Sequence, residues 1–94
     1  MDTELEIEIS PGSPLSLKVE PQVWTGENAD IMQTSMFAGQ QIMAIQKSDD
    51  EPDVFELHYL GLMVSGFNSM DEAKDNAPAF VREVLNQLSK LIKD

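Results

Sequence analysis

Residues 54–92 of this chain read VFELHYLGLMVSGFNSMDEAKDNAPAFVREVLNQLSKLI, and the change of period inside this stretch decides the fold class. Val54 to Val64 is rich in aliphatic, aromatic and β-branched residues and predicts one long strand, bent at Gly61 where the missing Cβ permits a bulge. From Ser69 the period becomes helical. Ser69 followed three residues later by Glu72 makes a capping box. Ala73, Ala77, Phe80, Val84, Leu88 and Leu91 then recur at helical spacing, with Val81, Leu85 and Ile92 widening the stripe. Such a face is stable only when covered, so the helix packs on the sheet that precedes it. Pro78 lacks a backbone donor and crowds the preceding turn, which predicts a kink or break near Asn76.

Working outward, Ser48-Asp49-Asp50-Glu51-Pro52-Asp53 reads as a solvated turn. Residues 31–47 fit neither period cleanly. Ile31, Met32, Met36, Met43 and Ile45, interrupted by Gly39, predict two short strands, and a helix capped near Asn28 that puts Met32 and Met36 on one face is the competing reading. Val23 and Trp24 lead into a loop from Thr25 to Asp30. At the N-terminus, Thr3 to Ile9 alternate strictly, with Leu5, Ile7 and Ile9 on one side and Glu4, Glu6 and Glu8 on the other, which predicts the clearest strand of the chain. Ser10-Pro11-Gly12-Ser13-Pro14 is a turn. A second strand follows from the alternation of Leu15, Leu17 and Val19, and Pro21 ends it.

The expected fold is therefore α+β: an antiparallel meander of four to five strands with the C-terminal amphipathic helix on one face. Leu5, Ile7, Leu17, Val19, Phe55, Leu57, Phe80, Val84 and Leu88 are the expected core. With 94 residues and 10.5 kDa the chain makes one domain, residues 1–94, and its 41% hydrophobic content suits a packed core despite the net charge of −11. No cysteine is present, which excludes disulfides and thiol chemistry and fits a reducing, cytoplasmic setting. The acidic start Met1-Asp2-Thr3-Glu4 is unlike a signal peptide, and no apolar run reaches the ~20 residues that span a bilayer.

Catalytic and ligand chemistry finds little to work with. There is one histidine, no cysteine and no nucleophile-elbow serine, so a hydrolytic triad is not expected. Gly61 and Gly66 have phosphate-loop spacing, but Phe67-Asn68 stands where Lys and then Ser or Thr are required. Asp49, Glu51 and Asp53 resemble a calcium loop only until Pro52, Val54 and Leu60 break its pattern. His58 alone does not make a zinc site and reads as a cross-strand or surface residue. The methionines and Trp24 read as core and gap-filling residues. We expect no cofactor, no metal and no enzymatic activity.

Charge placement is more informative. Residues 1–69 hold twelve acids against Lys18 and Lys47, whereas residues 70–94 hold five acids against Lys74, Arg82, Lys90 and Lys93. The sign repels nucleic acid and anionic membranes and favours a basic protein partner. In a strand, Glu4, Glu6 and Glu8 form a row repeating at ~6.8 Å, close to every second phosphate level of DNA at ~3.4 Å spacing. Glu4, Glu6, Glu8, Asp49, Asp50, Glu51 and Asp53 are the expected partner-binding residues.

Two resemblances add to this. Residues 65–81, SGFNSMDEAKDNAPAFV, resemble the strand, turn and capped helix of HicB-type antitoxins, with Ser69, Asp71, Glu72, Ala73, Asn76 and Ala77 in the recurring places; the Pro-rich turn of that family is missing from 58–64. The size, charge and meander-then-helix layout is similar to small acidic proteins of phages and mobile elements, including anti-CRISPR and DNA-mimic inhibitors. The resemblances imply an inhibitor of a basic nucleic-acid-handling protein. The alternative is an antitoxin-like or structural oligomerisation domain, a homodimer among its forms, using an apolar interface that includes Trp24, Met32, Met36 and Phe37.

Overall fold

In the computed structural model, which describes residues 5–12 and 22–93, Met32–Phe37 (β1), Gln40–Ser48 (β2), Glu51–Tyr59 (β3) and Leu62–Phe67 (β4) form one antiparallel sheet in the order β1-β2-β3-β4. Met70–Ser89 is the helix α1, packed on one face of it. The expected α+β meander with a C-terminal helix is the architecture found, but the meander runs from residue 32 to 67 and draws no described strand from the N-terminal segment.

Very short connections hold the meander together. Ala38-Gly39 and Leu60-Gly61 take positive φ (51° and 74°, 51° and 82°), the requirement of a type I′ hairpin whose twist matches the flanking strands. The expected long strand 54–64 is thus two strands folded back at Gly61. The glycine supplies a reversal rather than a bend. Gly66, at φ 102°, is the extra residue of a bulge, because Phe67 pairs with Phe55 while Ser65 pairs with Glu56. The bulge returns Phe67 to the helix side, where it packs on the core.

Register then assigns the faces. Gln33 opposes Ala44, Ala44 opposes Leu57 and Leu57 opposes Val64, while Ile42 opposes Tyr59 and Tyr59 opposes Leu62. On this side Ile42, Ala44, Phe55, Leu57 and Tyr59 are buried beneath Ala73, Ala77, Val81 and Val84 of α1. Phe80 and Leu88, expected at the centre, are only partly buried beside this seam, and Leu91 and Ile92 lie exposed beyond the helix. Two alanines with no exposed surface let the helix sit close over the central strands.

The helix start follows the capping box. Ser69 is the N-cap, its Oγ accepting from the Glu72 N–H at 3.0 Å, and the Glu72 carboxylate accepts from Asn68 N–H at 3.3 Å. Pro78 neither breaks nor ends the helix, which runs unbroken over twenty residues. The lost N–H would have served the Lys74 carbonyl only, and packing on both sides of it outweighs one missing bond.

The edge strand β1 is tied down by polar contacts. Thr25 and Thr34 exchange backbone bonds of 2.9 and 2.8 Å. Gln22 Nε2 donates to the Met36 carbonyl at 2.8 Å and to Ser35 Oγ, and Ser35 in turn donates to the Val23 carbonyl. Buried Gln33 donates to the Ala29 carbonyl at 3.0 Å and accepts from Lys74 Nζ at 3.3 Å, linking strand to helix. Trp24 meets Phe37 edge to face, with ring centres 6.4 Å apart. The helix considered for this region does not form; residues 27–31 are a turn leading into β1.

The N-terminal reading is corrected. Residues 5–10 make no strand, and Leu5 and Ile7 are 73% and 79% exposed instead of core. Alternation is a local property, whereas a strand needs a hydrogen-bonding neighbour, and tightly closed hairpins satisfy β2 and β3 on both sides. Leu17, Val19 and the expected strand around them lie outside the described residues.

Two outcomes follow from this core. Leu57→Ala should lower the unfolding free energy by ~2 to 5 kcal/mol in urea titrations, whereas Ile7→Ala should change it by less than ~0.5 kcal/mol; the reverse order would restore the N-terminal strand. Burial raises the ionisation of Tyr59 above the ordinary tyrosine range, and its hydroxyl donates to the Phe37 carbonyl at 2.6 Å. Its folded-state pKa lies above its unfolded value of ~10, so its contribution is complete below about pH 10 and is lost as pH rises through the folded pKa. As the sole tyrosine, it reports by absorbance: phenolate should appear later in the native than in the urea-unfolded chain.

Candidate interaction surfaces

The meander decides which acidic residues gather. β2 and β3 join at Asp49-Asp50, and Glu51 and Asp53 follow on β3, all exposed. Because Phe67 pairs with Phe55, β4 ends on the side of the sheet that carries this tip, and α1 begins there with Asp71 and Glu72. β1 begins there too, since Met32 pairs with Ile45 and Gln46 N–H bonds the Ile31 carbonyl at 2.8 Å. The preceding turn brings Glu27 and Asp30 to the same end. The opposite end carries the uncharged Ala38-Gly39 and Leu60-Gly61 turns.

The sequence reading found Asp49, Asp50, Glu51 and Asp53 but missed Glu27, Asp30, Asp71 and Glu72. Only the strand register reveals that these segments share one end of the sheet, although the capping box already fixed where the helix starts. Among the described residues, Lys47 and Lys74 at this end are engaged. Lys47 Nζ lies 2.9 Å from the Glu51 carboxylate, and Glu51, with a smaller contribution from Glu56, raises the Lys47 pKa. Lys74 is held by Gln33. Of the expected carboxylate row, Glu6 and Glu8 are exposed on a segment that is not a strand, so their regular spacing is lost, and Glu4 lies outside the described residues.

The second surface is the sheet face turned away from α1. It presents Met32, Thr34 and Met36 from β1, Gln41, Met43 and Ile45 from β2, Val54, Glu56 and His58 from β3, and Met63 and Ser65 from β4. Met32, Met36 and Met63 are 38%, 56% and 49% exposed, so these methionines do not fill the core as expected. His58 Nε2 lies 3.0 Å from Glu56 Oε1, a contact within β3 on this partly exposed face rather than one across strands.

No family model matches this chain, and no curated protein or solved structure does either. The residues that resemble HicB-type antitoxins have local work here: Ser69 and Glu72 cap the helix, Asn76 Nδ2 donates to the Glu72 carbonyl at 2.8 Å, and Ala73 and Ala77 seat the helix on the sheet. Those are duties of a strand-to-helix junction and specify no partner. Among the described residues no cavity opens, no group of three potential metal ligands converges, and no helix is long and apolar enough to cross a membrane.

The acidic tip carries no packing duty. Replacing Asp49, Asp50 and Asp53 together by Asn should leave the urea midpoint within the ~0.5 kcal/mol span of ordinary surface changes; a large loss would make the tip structural.

Proposed function

We propose that this chain is a non-catalytic protein-interaction module, an inhibitor that presents its acidic surface to a basic, nucleic-acid-handling protein of the kind targeted by phage and mobile-element anti-defence proteins. The convergence of Asp49, Asp50, Glu51 and Asp53 with Glu27, Asp30, Asp71 and Glu72 at one end of the sheet carries this reading. A field of one sign steers a basic partner and accelerates encounter, and excludes nucleic acid itself. Glu6 and Glu8 extend the same sign along an exposed segment that is not a strand, and Glu4, outside the described residues, adds to the charge by sequence. The partner's basic groove would meet an acidic end without a regular carboxylate spacing, so the proposal is charge complementarity rather than a copy of phosphate spacing.

A second reading is supported by a separate observation. The exposed Met32 and Met36 on the outward sheet face suit an antitoxin-like or structural oligomerisation domain using an apolar interface. Trp24 and Phe37, first grouped with them, pack against the core on the helix side and drop out of that surface.

Affinity capture from a cytosolic lysate, eluted with rising salt, tests the leading reading. Basic nucleic-acid-binding proteins should be held at low ionic strength, be released at moderate salt, and fail to bind a chain carrying Asp49→Lys, Asp50→Lys and Asp53→Lys. An unchanged captured set on that variant contradicts it.

A further inference from the structure

We infer that the outward sheet face is a self-association surface, on which a second copy of this chain packs sheet to sheet. This rests on the apolar-interface reading and names its occupant.

An antiparallel sheet open on one side normally turns polar residues to water there. Here no other described element covers that side, and its cross-strand rows Met32, Ile45, Glu56, Ser65 and Thr34, Met43, His58, Met63 set apolar side chains among polar ones, with Met32, Met36 and Met63 exposed. The face is also close to electrically neutral in a chain of net charge −11. Its one carboxylate, Glu56, is paired with His58 at 3.0 Å and lies close enough to Lys47, at the rim, to affect its titration. The carboxylates of Glu27, Asp30, Asp49, Asp50, Asp71 and Glu72 sit at one end, off this face. Nothing on the face selects a basic partner, whereas two copies can meet here without pressing unmatched carboxylates together.

Two twisted sheets stack ~10 Å apart at about 30°, and methionine suits such a contact because its flexible side chain fills irregular gaps. A two-fold axis makes each contact occur twice. Four strands at ~4.8 Å and six residues at ~3.3 Å outline roughly 400 Å² per copy. That is below the ~800 Å² per partner of a standard stable interface, so the dimer is weak and reversible. Salt should tighten it, because screening relieves repulsion between two acidic bodies; contact of the acidic end with a basic protein responds in the opposite sense.

Sedimentation of the full chain from low micromolar to about 1 mM, joined to methionine ε-methyl NMR, tests this. The expected result is a concentration-dependent monomer–dimer equilibrium in which the methyl signals of Met32, Met36, Met43 and Met63 move and that of Met70, on α1, does not. Raising salt should strengthen the dimer. Met63→Glu, with native helical circular dichroism retained, should weaken it at least tenfold, and Met36→Glu provides the same test at the other edge. A monomer throughout overturns this inference and, with it, the oligomerisation form of the apolar-interface reading. A dimer unchanged by either glutamate but lost on replacing Leu5 and Ile7 overturns this face while leaving that reading standing.

Discussion

The close seat of α1 on the sheet governs everything else in this molecule. Ala73 and Ala77 have no exposed surface, and Val81 and Val84 almost none, so small and β-branched side chains bring the helix down onto Ile42, Ala44, Leu57 and Tyr59. A helix is ~10 Å across including its side chains, which suffices to seal the middle of one face of a four-stranded sheet. The other face receives no such cover from the described elements. A domain of this size therefore concentrates its burial in one seam and leaves substantial apolar surface outward.

The same connectivity segregates charge. Because β4 returns to the end where β2 and β3 join, the capped start of α1 and the turn before β1 lie at the same end of the sheet as the Asp49-Asp50 tip, which projects beyond them. Carboxylates far apart in sequence come to share one end of the fold. They gain from the location in part: Asp71 and Glu72 lie in the first helical turn, where the helix dipole favours negative charge. The outcome is a molecule with an acidic end and a nearly neutral apolar face, two surfaces whose interactions respond to salt in opposite directions.

How much of this was legible in the sequence depended on whether the signal was local. The Ser69 to Glu72 box fixed the helix start, and the spacing of Ala73, Ala77 and Val84 located its buried stripe, because capping and amphipathicity act within a few turns. Two short strands within residues 31–47 were also readable, although Met32 and Met36 were assigned to the core when their register turns them outward. Glu4, Glu6 and Glu8 misled, since Leu5, Ile7 and Ile9 satisfy the alternation of a strand while pairing with no described neighbour. Leu60-Gly61 was missed as a reversal because Leu rarely takes positive φ, so the residue before Gly61 concealed the turn. The acidic end was half visible: Asp49 to Asp53 stood out as a run, whereas Glu27 and Asp71 join it only through strand register.

Native-state hydrogen exchange tests the one-sided core most directly. The account predicts the strongest protection in the central amides of β2 and β3 and in Ala73 to Val84 of α1, with residues 5–9 exchanging near the rate of an unstructured peptide. Protection of residues 5–9 comparable to that of β3 would contradict it, because that segment would then belong to the sheet and the outward face would need to be redrawn.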